Sequence, residues 1–287
     1  MYKLSHDIEN DLEHTIPPEG GWDSALLFEV MTERSLDLLE AGSQSRVMDQ
    51  ACGMGQDLLS VAARQVSASV ALSPRGITPG TAFAGFALGL EPSNRMIRFA
   101  QLMARRQGNT VRGRVLLLRS LAEAMPFREN CLDAVLCKGA MDHFIDPHMA
   151  LAEIARILKP GGRAVVALAN YDSLSCRLGR RLDILQRRLR PGYAPADHPY
   201  FEPPPDHMTR FGFRDIATLP APPLHIRRVE GISLLWGFPP WTRLVALAPP
   251  PLRRVLLNTA FVLGRLLPRW ADVIIVQAVK DGGSFAT

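Results

Sequence analysis

The 287-residue chain has 33 Lys+Arg against 28 Asp+Glu, with 47% hydrophobic and 21% charged residues. That is the composition of an ordinary globular protein, long enough to bury a full core in one large domain. The charge is uneven: Arg163 to Lys280 holds 17 Lys+Arg against 8 Asp+Glu while the whole chain is only +5, so the remainder is acidic.

No run of about 18 uncharged apolar residues occurs, so no membrane-spanning helix is expected. The polar, acidic start MYKLSHDIENDLEHT lacks the apolar centre of a secretory signal. The four cysteines, Cys52, Cys131, Cys137 and Cys176, show no CxxC or metal-like spacing. Reduced thiols, no bound metal and a cytoplasmic location are the expectation. The basic half would suit an anionic partner. Its arginines are scattered through helical segments without a base-stacking aromatic motif, so no nucleic-acid partner is expected.

In chain order, residues 22–40 place Trp22, Leu26, Leu27, Val30 and Met31 at helical spacing. A short apolar strand follows at 47–50, then a turn with two glycines and a helix over 57–66. The Ser-, Pro- and Gly-dotted stretch 67–82 reads as an inserted loop. Residues 83–91 read as a buried strand and 93–107 as a helix capped by Ser93. Further strands are expected at 114–120 and 132–139. A helix over 148–162, ended by Lys159, Pro160 and two glycines, leads into a strand at 163–170. Beyond 170 come a basic helix (173–190), a proline-dense stretch, an apolar run GISLLWGFPPW, an amphipathic run over 251–267 and a last strand at 272–279. Strands that alternate with helices and are continuously apolar predict an α/β fold with a parallel sheet covered on both faces.

The stretch VMDQACGMGQD carries the first chemical signal. In a doubly wound sheet, ligands sit at the carboxyl ends of the strands, so the turn holding Gly53 and Gly55 is placed to touch one. A dinucleotide site wants a third glycine, and Leu58 stands in its place. Asp49 lies inside an apolar strand, where a carboxylate needs partners; the loop amides or a cationic ligand could supply them. Glu91 closes the second strand, where its two oxygens can accept both hydroxyls of a ribose or serve as a helix N-terminal charge.

Taken together, VMDQACGMGQD, GLEPSNRMIRFAQ, AEAMPFRENCLDAVLCKGAMDHFIDP and LAEIARILKPGGRAVVALAN resemble, in order, the motifs of the class I S-adenosylmethionine-dependent methyltransferases of the small-molecule type, those with the methyltransferase-11 domain. The likeness covers roughly residues 22–170. It implies a Rossmann-like, mostly parallel seven-stranded sheet with a final antiparallel strand. The resemblance does not fix the part beyond 170, which from its residues is expected to be a helical, proline-rich C-terminal substrate segment. Three regions are therefore expected: a helical cap at 1–45, a cofactor-binding core at 46–170, and a substrate-binding segment with the last strands at 171–287.

The resemblance further implies that Asp49, Gly53 and Gly55 surround the methionine part of S-adenosylmethionine and that Glu91 holds the ribose, with Pro92 beside the adenine. Ala122 and Glu123 would lie at the adenine edge, and the Lys138 backbone would meet the methionine end. Two departures stand out. Leu121 occupies a position where the family often has an aspartate. Gly53 and Glu91 are 38 residues apart, against about 20 in a compact nucleotide site; the 67–82 loop accounts for the surplus.

The expected activity is methyl transfer to a small molecule on oxygen or carbon, with a lipophilic acceptor as one option; the alternative is a non-catalytic protein that binds the cofactor or regulates a partner. His143 is the first candidate base, and His207 with Asp206 the second; Tyr171 and Tyr200 are candidates to line the acceptor pocket. Each of these side chains could instead serve packing or capping. Residues 232–267 leave three readings open: a lipophilic acceptor site, peripheral membrane or partner contact, or core packing.

Overall fold

Short apolar runs, each followed by a helix-length segment, build one sheet in the order β3-β2-β1-β4-β5-β7-β6. A computed structural model describes residues 22–72, 85–190, 192 and 199–282. The strands are β1 (Arg46–Gln50), β2 (Phe86–Leu90), β3 (Val115–Leu118), β4 (Leu132–Lys138), β5 (Leu158–Ala169), β6 (Leu224–Ile232) and β7 (Val273–Lys280). Strands β1 to β5 pair in parallel, and β7 runs antiparallel between β5 and β6. The expected seven-stranded, mostly parallel sheet is therefore present. Its sixth strand falls in the run HIRRVEGI, where the sequence reading named no element.

Side chains alternate across the sheet and feed two cores. Val47, Ala134, Leu136 and Val165 face one side, where Leu27, Met31, Leu38 and Leu39 of α1 (Trp22–Leu39) and Leu58, Val61 and Ala62 of α2 (Gln56–Leu72) cover them. Met48, Leu88, Val135 and Val166 face the other side, under Leu151, Ile154 and Ile157 of α5 (Pro147–Ile157) and Ile216 of α7 (Phe213–Thr218). Being apolar on both faces suits these strands to a parallel sheet and to no exposed one. The remaining helices are α3 (Asn94–Arg105), α4 (Asn109–Arg112), α6 (Leu174–Leu189), α8 (Pro239–Leu247) and α9 (Pro250–Leu266).

Two boundaries differ from expectation. Helix α2 continues to Leu72 instead of stopping at 66, and the Ser67 and Ser69 hydroxyls are satisfied within it by donating to carbonyls four residues earlier. The rest of the expected loop, 73–82, lies outside the described residues. The helix expected to 162 ends at Ile157. Leu158 already has extended geometry (ψ 138) and pairs with Leu132, so Lys159 to Gly162 belong to β5 and its bulge. Pro160 lacks an N–H and disfavours helix at the residue before it, which makes this the natural exit. Helix α3 starts as expected: Ser93 accepts the Met96 N–H at 3.2 Å.

Candidate active site

The loop after β1 gathers three left-handed residues, Ala51 (φ 59), Gly53 (φ 51) and Gly55 (φ 84). Cys52 N–H donates to the Leu90 carbonyl at 2.9 Å, lashing this loop to the end of β2. The lashing needs Gly89: a Cβ there would lie 2.6 Å from Cys52 Sγ. At Gly53, by contrast, an added Cβ would meet nothing within 4 Å, so the backbone opens onto free space. A chain bent this way leaves room for a ligand to lie along its backbone.

Glu91, 7% exposed, closes that space from the side. One carboxylate oxygen accepts Gly53 N–H at 3.0 Å and the other accepts Ser93 N–H at 2.9 Å. A carboxylate in this position is of the type that can accept both hydroxyls of a ribose. Pro92 follows, its carbonyl taken by Arg119 Nε at 2.8 Å. Asp49 is buried at 4% exposure, and its Oδ2 has no partner. Burial first and the Asp57 carboxylate second push Asp49 well above the usual carboxylate range, with the Lys138 ammonium opposing them. A buried acid with an orphaned oxygen beside an open glycine turn is suited to receiving a cationic group.

Lys138, at the end of β4, spends its ammonium on Asp57 (2.9 Å) and Thr32 (2.6 Å), so only its backbone faces the edge, where Gly139 again turns left-handed (φ 59). The Ala122 carbonyl receives Gln50 Nε2 at 3.5 Å. Glu123 is buried with its carboxylate turned inward to the amides of Ile145 (3.0 Å) and Asp146 (3.4 Å), which fixes the loop after β4. Sequence reasoning missed the Thr32–Asp57–Lys138 link, which joins three distant segments. The buried cysteines are not nucleophile candidates, since burial pushes the Cys52 and Cys137 thiols far up.

Beyond β4, two Asp-His dipeptides meet crosswise. His207 Nδ1 lies 3.0 Å from Asp142 Oδ2, and His143 Nδ1 lies 3.3 Å from Asp206 Oδ2. The imidazoles stand edge to face with centroids 4.4 Å apart, and the Tyr171 hydroxyl is 3.3 Å from His207 Nδ1. The backbone sets the cross-link, since Thr209 N–H donates to the Asp142 carbonyl at 3.1 Å and holds the 206–209 segment against the β4 loop. Burial lowers the His207 pKa below 6.5, the Asp142 carboxylate opposes that, and His143 adds to it. With Nδ1–H donated to Asp142, Nε2 keeps its lone pair, the orientation a general base needs.

Donor atoms of Asp142, His143 and His207 lie within 4.8 Å of one another, close enough to hold a cation, although the sequence carried no metal-like spacing. Asp142 is the residue sequence reasoning missed. The repeated Asp-His dipeptide was the available signal, but which aspartate serves which histidine is decided only by the fold. β1 and β4 are neighbours, with Asp49 opposite Leu136, so the glycine cradle and the histidine cluster both follow the carboxyl edge where strand order reverses.

A family profile described as a methyltransferase domain matches residues 76–166. The ubiquinone/menaquinone biosynthesis C-methyltransferase UbiE of Geobacter sulfurreducens is 31% identical over 188 residues, covering 63% of this chain and 66% of that one. The O-methyltransferase rstn1 of Aspergillus nomiae is 28% identical over 174 residues, covering 58% of this chain and 68% of that one. Across the first curated relatives, the matched part spans between 34% and 68% of their own length. Among solved structures, the [4+2]-cyclase SpnF superposes with a TM-score of 0.57 at 19% identity, covering 92% of this chain and 84% of that one. With the sheet order, the glycine turn and the acidic end of β2 in place, the chain belongs to the class I S-adenosylmethionine-dependent methyltransferases that carry the methyltransferase-11 domain.

Proposed function

We propose that this protein transfers a methyl group from S-adenosylmethionine to a small, lipophilic acceptor that gives up a proton in the reaction. The observation that carries the cofactor is the cradle in which Glu91 ties the Gly53 and Ser93 amides beside the orphaned oxygen of Asp49. In this reading Glu91 takes the ribose hydroxyls, Asp49 faces the cationic methionine end, and the Gly53 and Gly55 backbone lies along it. The backbones of Pro92, Ala122, Glu123 and Lys138 complete the walls. S-adenosylmethionine supplies an electrophilic methyl on a sulfonium. What the chain must add is alignment, worth up to about 7–11 kcal/mol in well-placed cases.

His207 is the group we assign as base, with Nε2 taking the acceptor proton while Asp142 steadies the imidazolium that results. His143, held by Asp206, keeps the His207 ring in place and discourages its resting protonation. Apolar and aromatic side chains flank this cluster, with Tyr171, Phe201 and Tyr200 packed together and Met141 and Phe144 buried on either side of the Asp142–His143 pair in sequence. An acceptor reaching His207 would approach such side chains, which suit an aromatic or isoprenoid group better than a sugar or a peptide. A quinone methyltransferase among the relatives is consistent with that class. The three-part division into cap (1–45), core (46–170) and substrate segment (171–287) belongs to the same proposal, in which Tyr171, Tyr200 and His207 supply the acceptor side.

One observation favours a second reading, a protein that binds the cofactor without using it for methylation. The fold is shared with a protein named as a cyclase, so fold alone does not establish methyl transfer. Incubating the chain with methyl-labelled cofactor and a lipid extract separates the two. Label in an extractable product together with release of S-adenosylhomocysteine supports methyl transfer. Tight cofactor binding with no label transferred to any acceptor supports the second reading.

A further inference from the structure

Between Gly231 and Ala271 the chain has five arginines and no acidic residue. Most of this stretch is α8 and α9, and α9 is apolar on two opposite sides. Leu257, Ala260 and Gly264, at steps of three and four, are buried against the body of the protein. Gly264 is required there, since a Cβ would lie 2.6 Å from the Ser233 backbone nitrogen.

Leu252, Val255, Val262 and Leu266 follow the same three- and four-residue rhythm, half a turn away. At 100° per residue they form a stripe opposite the buried one. They are 50%, 60%, 52% and 69% exposed, and the neighbouring end of α8 adds Leu247 at 86%. Core packing, one of the three readings of 232–267, explains the first stripe and leaves the second without a role. Arg254 and Arg265 are exposed along the margin of that second stripe. Arg253 instead turns inward, donating to the carbonyls of Val245, Ala246 and Ala248 and fixing α8 to α9.

We propose that the outer face of α8 and α9 docks on an anionic lipid surface, with the leucine–valine stripe entering the acyl boundary and the arginines at the headgroups. Apolar residues flanked by arginine are what an interfacial helix presents. Charge selects this occupant over a second copy of the chain. A two-fold contact through this face would bring arginines together with no carboxylate between Gly231 and Ala271 to receive them, whereas an anionic headgroup supplies the counter-charge. Contact of this kind is peripheral, because no helix among the described residues is long and apolar enough to cross a membrane. The inference stands independently of the acceptor's identity, although a lipophilic acceptor would be found in the same place.

The test is co-sedimentation of the full chain with vesicles of phosphatidylcholine alone or mixed equally with phosphatidylglycerol, at low and high salt. Binding to the mixed vesicles is expected, weakened by salt and at least tenfold poorer on phosphatidylcholine alone (an order-of-magnitude figure). Arg254→Gln with Arg265→Gln should weaken it by about 25-fold, roughly fivefold per arginine. Val255→Ser with Leu266→Ser should weaken it by about tenfold. Both pairs lie outside the cofactor cradle, so cofactor affinity by calorimetry should not change, which also verifies the fold. Absence of binding to the mixed vesicles, or equal binding by wild type and both variants, overturns the proposal. So does a concentration-dependent dimer in sedimentation that Val255→Ser with Leu266→Ser disperses while vesicle binding persists.

Discussion

The two halves of the candidate site are built differently. The cradle at the ends of β1 and β2 is mostly backbone, with glycines in left-handed geometry, amides pointing at Glu91 and a single buried acid. The cluster after β4 is all side chain, two histidines and two aspartates from segments about 64 residues apart, joined crosswise. The first half depends on local chain geometry and tolerates little change in residue type. The second depends on where two loops dock and tolerates change wherever the docking survives. The contrast suits a shared cofactor and a variable acceptor.

That difference can be broken at several points. The largest effect is expected at His207. His207→Ala should lower kcat by about 10²–10⁴-fold if Nε2 is the base, while cofactor affinity in a calorimetric titration stays at the wild-type value. A loss under tenfold would reduce the residue to packing. Because burial holds the His207 pKa below 6.5, the imidazole is neutral at pH 7. The acid limb of the rate profile should therefore fall below pH 6.5 and disappear in the variant; a limb above 6.5 would point to another group. His143→Ala should cost less and move that limb upward, since a neighbour that opposes His207 protonation is removed.

A second test sharpens what is fold and what is site. Asp272 is buried just before β7, with Ser175 Oγ at 2.5 Å and the Trp236 N–H at 2.9 Å, and burial lifts its pKa to about 7. The unfolded value is near 3.9, so between about pH 4 and 7 the native state keeps a proton that the unfolded chain has lost. Stability from this group is complete below pH 4 and falls as pH rises through 7, by about 4 kcal/mol at most. Asp272→Asn should flatten that slope in urea unfolding at pH 5 and 8. An unchanged slope would mean that the carboxyl titrates normally. A smaller effect is expected at the other end of the sheet. Ser93→Ala removes the cap of α3 and should cost about 1 kcal/mol in the same assay; no change in the unfolding midpoint would show that Glu91 and the backbone hold the helix start without it.

The cradle was legible because its signals are short-range. A glycine pair after a strand, an acid within an apolar run and Ser93 three residues before a helical amide can each be read within ten residues. The topology was legible for a similar reason, since continuously apolar strands alternate with helices. The end of α5 was misplaced because Lys-Pro-Gly-Gly terminates a helix in isolation, and only pairing with β4 shows that Leu158 is already strand. β6 was missed because it is the edge strand, with His225, Ile226, Arg227 and Arg228 exposed, so its pattern does not resemble that of the buried strands. The crossed Asp–His pairs could not be read at all. Asp206 is adjacent to His207 in sequence, yet His207 is served by Asp142, and that choice is made by how the 206–209 segment docks.

Glu91 is the residue on which the cofactor site turns. Calorimetric titration of S-adenosylhomocysteine into wild type, Glu91→Ala and His207→Ala isolates its role. Glu91→Ala should weaken binding by about 1–3 kcal/mol, the cost of losing hydrogen bonds in a buried site, and His207→Ala should bind as wild type does. If Glu91→Ala binds with wild-type affinity, the ribose is not held at the end of β2 and the cradle is not the cofactor site.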